Sequence, residues 1–367
     1  MKKEIGKFLF TSSREINYPR NDLFIRSMSK LSKLDVVSPY RENISTGNYF
    51  RILYISFVNL IRIYLKLLRN KYSVIFVGFF GQLMILPISF CTKSPIFFDF
   101  FVSAFDTIVS DRKLIKESSI IAKLIFKIDQ MACRNADIIF FDTNTNLIYF
   151  EKLFDLSQEK LRSVYVGCDE TIFYPRTTPV DNDLVIYYSS YLPLHGVDIV
   201  IKAAKLLSDF SPIRFTIIGN GMEFNKIQKI SNSLNLTNVS FIPSIPLIDL
   251  PEKIAEASIC LGGHFGSTPK AKRVIAGKTF QLLAMRKPVI VGDNEANREL
   301  LTHGLDAWMC KMDDPVSLAR EIYFLYNNES IRNKISAEGY ITFKHKASAR
   351  ALEKNIRTEI YKKVKLN

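Results

Sequence analysis

The sequence predicts an α/β protein built from two doubly wound domains, and three observations carry that expectation. The chain has 367 residues, roughly twice the ~150 of an ordinary domain. Strand-like apolar runs alternate with helical periodicity in two successive series, which calls for crossover units and parallel sheets. Between the series, GCDETIFYPRTTPVDND at 167–183 breaks into turn formers with two prolines. With 47% hydrophobic and 23% charged residues, the composition is that of a folded globular protein and excludes a disordered or fibrous one. The expected domains are 1–177, 178–342, and a C-terminal helix over 343–367 that crosses back to the first domain.

In chain order, FLF in KFLF reads as the first buried strand. A helix near 20–34, the strand LDVVSP, a basic helix over 51–71 and the strands YSVIFVG and PIFFDFF follow. The segment 72–105 is the most apolar, but Gly78, Gly81, Gln82, Pro87 and Thr92-Lys93-Ser94-Pro95 interrupt it. No run reaches the ~18 residues of a membrane span, so strand, short helix, strand is the reading. A helix near 113–135, the strand ADIIFFD, a helix near 144–155 and the strand RSVYVG complete the first series. The second comprises LVIYYSS, a helix from Val197 to Ser208, RFTIIGNG, a helix near 222–234, VSFIPSIP, a helix at 247–257, ASICLGG, a loop, helix and strand over 271–293, and a helix in VSLAREIYFLYNN.

Cys91, Cys133, Cys168, Cys260 and Cys310 are widely spaced with no CxxC pair, so neither a disulfide framework nor a zinc site is expected and a reducing cytoplasm fits. The opening MKKEIGKFLFTSSRE has an apolar run too short for a secretory signal. Net charge is +14, and residues 1–72 hold 14 Lys/Arg against 5 Asp/Glu, or 14 − 5 = +9 of it. Arg51, Arg62, Lys66 and Arg69 punctuate the basic helix. Such a helix either lies on an anionic membrane surface, each cation near the lipid contributing on the order of 1 kcal/mol, or packs in the core with a solvated cationic side. No aromatic-interleaved basic repeat accompanies the charge, so no nucleic acid partner is expected. The location expected is cytoplasmic, peripheral on the inner face of a membrane.

Candidate site residues come from strand ends. IYYSSYLPLHGVD places Ser189, Ser190 and His195 in a loop before a helix, where backbone amides attract anions. RFTIIGNG ends in Gly219 and Gly221, which either admit a ligand close to the backbone or make a tight turn. CLGGHFGSTPKAKRVIAGKTFQLLAMRKPVIVGD adds Gly262, Gly263 and Gly266, then Arg273, Gly277 and Lys278 at a helix start. Point cations plus free amides suit a diphosphate; a solvated basic loop is the alternative. FFDFFVSAFDT ends a strand with Asp99 and Ser103, Asp106 and Asp111 following. Asp99 either holds an acceptor hydroxyl or caps the next helix.

Taken in order, YSSYLPLHGVD, FTIIGNG, VSFIPSIPLIDLPEKIAEASICLGG, GKTFQLLAMRKPVIVGDNEANREL and DDPVSLAREI resemble the donor-binding domain of family 4, group 1 type glycosyltransferases with the GT-B fold. ADIIFFDTNTN and VYVGCDETIFYP resemble that family's pre-linker strand and linker turn. The PLHG and K-x-F-Q pattern resembles a bacterial and archaeal subset of the family, which usually has Pro-Asn where Ala276-Gly277 stands. The resemblance implies two Rossmann-like domains facing across a cleft, and retaining, metal-independent transfer of a sugar, with no cofactor. The donor is a nucleotide diphosphate sugar and the acceptor a glycan or lipid-linked hydroxyl in cell-surface glycan synthesis. It places Asp99, His195 and Lys278 as catalytic, and Ser189, Ser190, Gly219, Gly221, Arg273, Gly277, Lys278, Gln281 and Glu299 at the donor. Arg273 and Gln281 stand where members commonly have two glutamates, and Ser190 and His195 where they have Arg and Lys. A catalytically inactive sugar-nucleotide-binding or assembly partner is the competing expectation.

Overall fold

The computed structural model describes residues 6–13, 16, 18–38, 49–209 and 212–366. Contacts divide the chain into two units, Met1–Val166 with Arg350–Asn367, and Gly167–Ala349. The first contains β1 (Phe8–Thr11), α1 (Pro19–Ser29), β2 (Leu34–Val37), α2 (Tyr49–Arg69), β3 (Val74–Val77), α3 (Gln82–Cys91), β4 (Ile96–Asp99), α4 (Ile120–Asn135), β5 (Ile138–Phe141), α5 (Asn144–Phe154) and β6 (Leu161–Ser163). The six strands form one parallel sheet in the order β2-β1-β3-β4-β5-β6. All four residues of β1, β3, β4 and β5 are buried, as strands covered by helices on both faces must be. The helix expected from 113 begins only at Ile120, because Ser119 accepts the Ala122 N–H and caps it there.

The second unit contains β7 (Asp181–Tyr188), α6 (Val197–Leu207), β8 (Arg214–Ile218), α7 (Phe224–Ser233), β9 (Val239–Ile242), α8 (Leu250–Glu256), β10 (Ala257–Leu261), α9 (Gly277–Ala284), β11 (Val289–Gly292), α10 (Glu295–Leu300), β12 (Trp308–Cys310), α11 (Pro315–Tyr326) and α12 (Glu329–Thr342). Its parallel sheet runs β12-β11-β10-β7-β8-β9. Chain order reverses between β7 and β10, so the loops after these two strands diverge and leave a crevice at their carboxyl ends. Contacts group the linker residues 167–177, which the sequence analysis counted with the first domain, with this unit. Cys168 Sγ donates to the Phe280 carbonyl (3.7 Å), Glu170 pairs with Lys344 (2.7 Å) and Arg176 with Glu252 (3.0 Å). α13 (Ala349–Leu366) joins the first unit through Lys30–Glu353 and Arg162–Glu359, and buries Leu352, Ile356 and Ile360.

One side chain ties the first unit together. Arg20, fully buried on α1, donates from Nε to both Asp99 oxygens (2.9 Å each) at the end of β4. It also donates to the carbonyls of Val164 (2.7 Å) and Phe141 (3.3 Å) beyond β6 and at the end of β5. Neither partner of the ion pair has any exposed side-chain surface. Asp99, expected near the acceptor or at a helix cap, is thus engaged by Arg20 inside the first unit, and among the described residues no helix N–H donates to it. Ser103 and Asp106 are likewise internal: Ser103 Oγ donates to buried Asp129 (2.7 Å) and accepts the Asp106 N–H (2.9 Å). Asp111 is buried at the end of a π-helical turn, Asp106–Asp111.

α2 turns its cations outward, as expected, and exposes much of its apolar side with them. Ser56 and Asn59 are buried, Asn59 donating to the Ser12 carbonyl (2.9 Å), while Phe50 is 86% exposed and Phe57 63%. Lys66 pairs with Asp35 (3.2 Å), and Arg62 and Arg69 are exposed; the Arg51 side chain lies outside the described residues. No helix, among the described residues, is long and apolar enough to cross a membrane.

Asp99→Ala would strand the Arg20 guanidinium in the core and should cost about 3–5 kcal/mol of stability in a urea titration. Wild-type stability with selective loss of an activity would instead return Asp99 to a substrate-contacting role.

Candidate functional site

The crevice of the second unit is framed by backbone that packs too closely for side chains. Gly219 and Gly221 follow β8 with φ of +133° and +152°, and a Cβ there would sit 1.8 Å from the Ser189 carbonyl oxygen and 2.0 Å from that of Ser190. Only glycine satisfies both the conformation and the approach. These two glycines thus brace the loop after β7, so the close neighbour is the chain itself. Gly196, at φ +64°, meets the loop after β10 in the same manner, 2.3 Å from the Gly266 nitrogen for a Cβ. Ser189 Oγ accepts the Tyr191 N–H (3.1 Å) inside its turn, while Ser190 is exposed.

α9 begins at Gly277, after Ala276, without a side-chain cap. The Thr279 N–H donates to the Ala276 carbonyl (2.9 Å), and the Gly277 and Lys278 amides precede the first intrahelical bond. Nothing lies within 4 Å of where a Gly277 Cβ would be, so the helix start faces open space. The next residue, Lys278, is only 8% exposed. Its ammonium donates to the Tyr187 hydroxyl (3.2 Å) and lies 4.3 Å from the Tyr187 ring centroid and 6.0 Å from that of Tyr188. Among the described residues, no carboxylate pairs with it. Burial alone pushes the Lys278 amine down to about 7, since a desolvated ammonium without a counter-charge favours its neutral form.

Around this cation the polar groups form a chain. The Tyr187 hydroxyl donates to the His195 carbonyl (2.8 Å), and His195 Nδ1 accepts the Leu192 N–H (3.3 Å). That bond assigns the proton to Nε2 and makes the neutral ring a donor. The His195 ring stacks on His264 with centroids 5.3 Å apart. Burial holds both histidines well below the ordinary range, and the Lys278 charge adds to this. His264 is 5% exposed and its Nδ1 has no hydrogen-bond partner. Tyr188 donates to Gln281 Oε1 (2.8 Å), leaving the Gln281 amide NH2 as a donor.

The structure therefore brings Lys278, Gly277, His195 and Gln281 together with Tyr187, Tyr188 and His264. Sequence reasoning missed those last three, whose signals were the paired tyrosines ending IYYSS and the histidine after Gly262-Gly263. Arg273 is buried in the loop before α9, with Nε on the Pro269 carbonyl (3.1 Å). Glu299 is half-buried on α10, whose cap Asn294 accepts the Asn297 N–H (2.7 Å). Asp99 belongs to the other unit. Among the described residues, no group of three or more His, Cys, Asp or Glu side chains could hold a metal ion.

Residues 169–342 match the model of the family described as glycosyl transferases group 1. An uncharacterized glycosyltransferase of Methanocaldococcus jannaschii is 24% identical over 176 residues, 48% of this chain and 46% of that protein. The match thus spans about half the length of this curated relative. Among solved structures, Anabaena HepE in complex with UDP and glucose superposes with a TM-score of 0.73 at 13% identity, covering 97% of this chain and 100% of that one. A sucrose-phosphate synthase from Thermosynechococcus elongatus gives 0.76 at 13% identity, covering 98% and 99%. The chain thus has the two-domain α/β fold of the GT-B glycosyltransferases, and its residues 169–342 carry the sequence pattern of glycosyl transferases group 1.

Proposed function

We propose that the protein is a glycosyltransferase that moves a sugar from a nucleotide diphosphate sugar to an acceptor hydroxyl. The observation that carries this reading is Lys278, a buried ammonium that no carboxylate among the described residues pairs with, beside a helix start that faces open space. A diphosphate supplies the missing counter-charge and accepts the free amides of α9. Positive charge held there also stabilises the departing nucleoside diphosphate, the main charge that develops on transfer. In this reading Arg273 is a second cation, and His195, through Nε2–H, and the Gln281 amide are neutral donors. Ser189, Ser190 and Glu299 complete the donor side. Hexosyl transfer with retention, without a metal or cofactor, to a glycan or lipid-linked acceptor of cell-surface glycan synthesis is the finer proposal, supported by the motif resemblance. So is a cytoplasmic site of action on a membrane's inner face.

One observation favours a second reading, a sugar-nucleotide-binding protein without transfer: Arg273 and Gln281 bring no carboxylate to this loop and helix. Turnover separates the two. The first probes are UDP and UDP-glucose, the ligands of the Anabaena HepE structures, followed by a panel of nucleotide sugars, with thermal shift and nucleoside diphosphate release as readouts. Binding without release under any acceptor would favour the second reading, and no stabilisation by any donor at millimolar concentration would overturn both.

Lys278→Ala should weaken nucleotide diphosphate binding by roughly 1.5–3 kcal/mol, the worth of a charged hydrogen bond; unchanged affinity in calorimetry would remove Lys278 from the site. Lys278→Met should do the same yet stabilise the empty fold by about 1–3 kcal/mol near pH 6. The sign follows from the lowered amine, at about 7 against 10.5 in the open chain: protonation costs stability below 7, and that cost fades as pH rises towards 10.5. The Met advantage should therefore shrink from pH 7 to 10. A bound diphosphate favours the ammonium, so binding takes up a proton and the affinity for UDP-glucose should fall as pH rises above 7. A pH-independent affinity would contradict the assignment.

A further inference from the structure

Among its described side chains, α2 presents a continuous apolar stripe outward. Phe50, Leu53, Phe57, Ile61, Tyr64 and Leu68 are all about half or more exposed, from 48% at Ile61 to 86% at Phe50. Their spacing of three and four residues lines them on one stripe covering roughly a third of the helix circumference, with Tyr54 and Leu65 at its margin. Arg62 and Arg69 lie along one flank, exposed and, among the described residues, without a carboxylate partner. The helix has no Asp or Glu. Beneath the stripe, Leu60, Ile63 and Leu67 of α2 and Pro87, Ile88 and Cys91 of α3 line an open groove of 290 Å³.

We infer that the outer face of α2 rests in the interfacial layer of an anionic lipid bilayer, with one hydrocarbon chain in the groove between α2 and α3. This deepens the membrane-surface part of the proposed function and is independent of the transfer chemistry. Apolar side chains on the stripe enter the acyl boundary, the tyrosines sit at headgroup level, and the arginines meet lipid phosphates. The other occupant such a face could take is a second copy of the chain. A two-fold contact along this stripe would bring two sets of Arg62 and Arg69 together with no acid on either helix, whereas an anionic surface complements them. Phe90, 81% exposed at the end of α3, and Ile120, 84% exposed at the start of α4, extend the apolar surface on the same side of the sheet.

The test is co-sedimentation of the full chain with vesicles of phosphatidylglycerol and phosphatidylcholine against phosphatidylcholine alone, at low and high salt. Wild type should bind the anionic vesicles, and Phe57→Asp with Leu68→Asp should lower that binding by at least about tenfold. Arg62→Glu with Arg69→Glu should remove the preference for anionic lipid. A tryptophan introduced by Cys91→Trp should be quenched by lipids brominated on their acyl chains, measured against the wild-type fluorescence of Trp308. Melting temperatures and circular dichroism verify that each variant folds, and thermal shift with UDP-glucose reads the donor site separately. The inference is overturned by vesicle binding that survives the Asp pair, or by equal binding to neutral lipid. Absence of added quenching in the Cys91→Trp variant would overturn it too, as would a dimer in light scattering that the Asp pair dissociates without changing vesicle binding.

Discussion

Because parallel strands cannot be joined by a hairpin, every connection within each sheet crosses over a face and returns to the same end of the sheet. That requirement buries β1, β3, β4 and β5 completely and delivers the loops after β7 and β10 to one crevice, where the strand order reverses. The cradle around Lys278 is a consequence of this wiring. Its members come from the end of β7, the loops after β7 and β10 and one helix start; the bonded pair Tyr188 and Gln281 are 93 residues apart in the chain, and topology alone makes them neighbours.

Within the crevice two opposed effects meet. Removing Lys278 from water costs the fold stability, and the tyrosine rings and a single hydroxyl return only part of it. The same desolvation makes the ammonium far more attractive to an anion than a surface lysine would be, because the low dielectric strengthens every charge interaction there. A neutral His195 and His264 beside it add dipoles without adding a second buried charge. The site is thus poised by being incomplete.

How much of this was legible in the sequence depended on whether the signal was local. Strand-helix alternation placed nearly every element of both sheets, and the Gly277-Lys278 helix start is visible as a motif. The Asp99–Arg20 ion pair was not legible, because its partners lie 79 residues apart and no pattern around either residue announces it. The three-residue strand β12 is too short to show a period, and it passed unseen. For α2 the periodicity was present, but a period states only that a helix has two faces. Which one points inward was decided by Asn59 and Ser56 finding partners in the loop after β1, and sequence spacing carries no such information.

The glycine contacts around the crevice carry a consequence for anyone re-engineering its selectivity. Gly219, Gly221 and Gly196 each press against a neighbouring main chain, so diversity introduced there alters the frame and is lost as misfolded protein. Ser190, Gln281 and His264 vary on a frame that stays put. A mutant library divided along that line would search ligand preference in one half and foldability in the other, and the two should be screened with different assays.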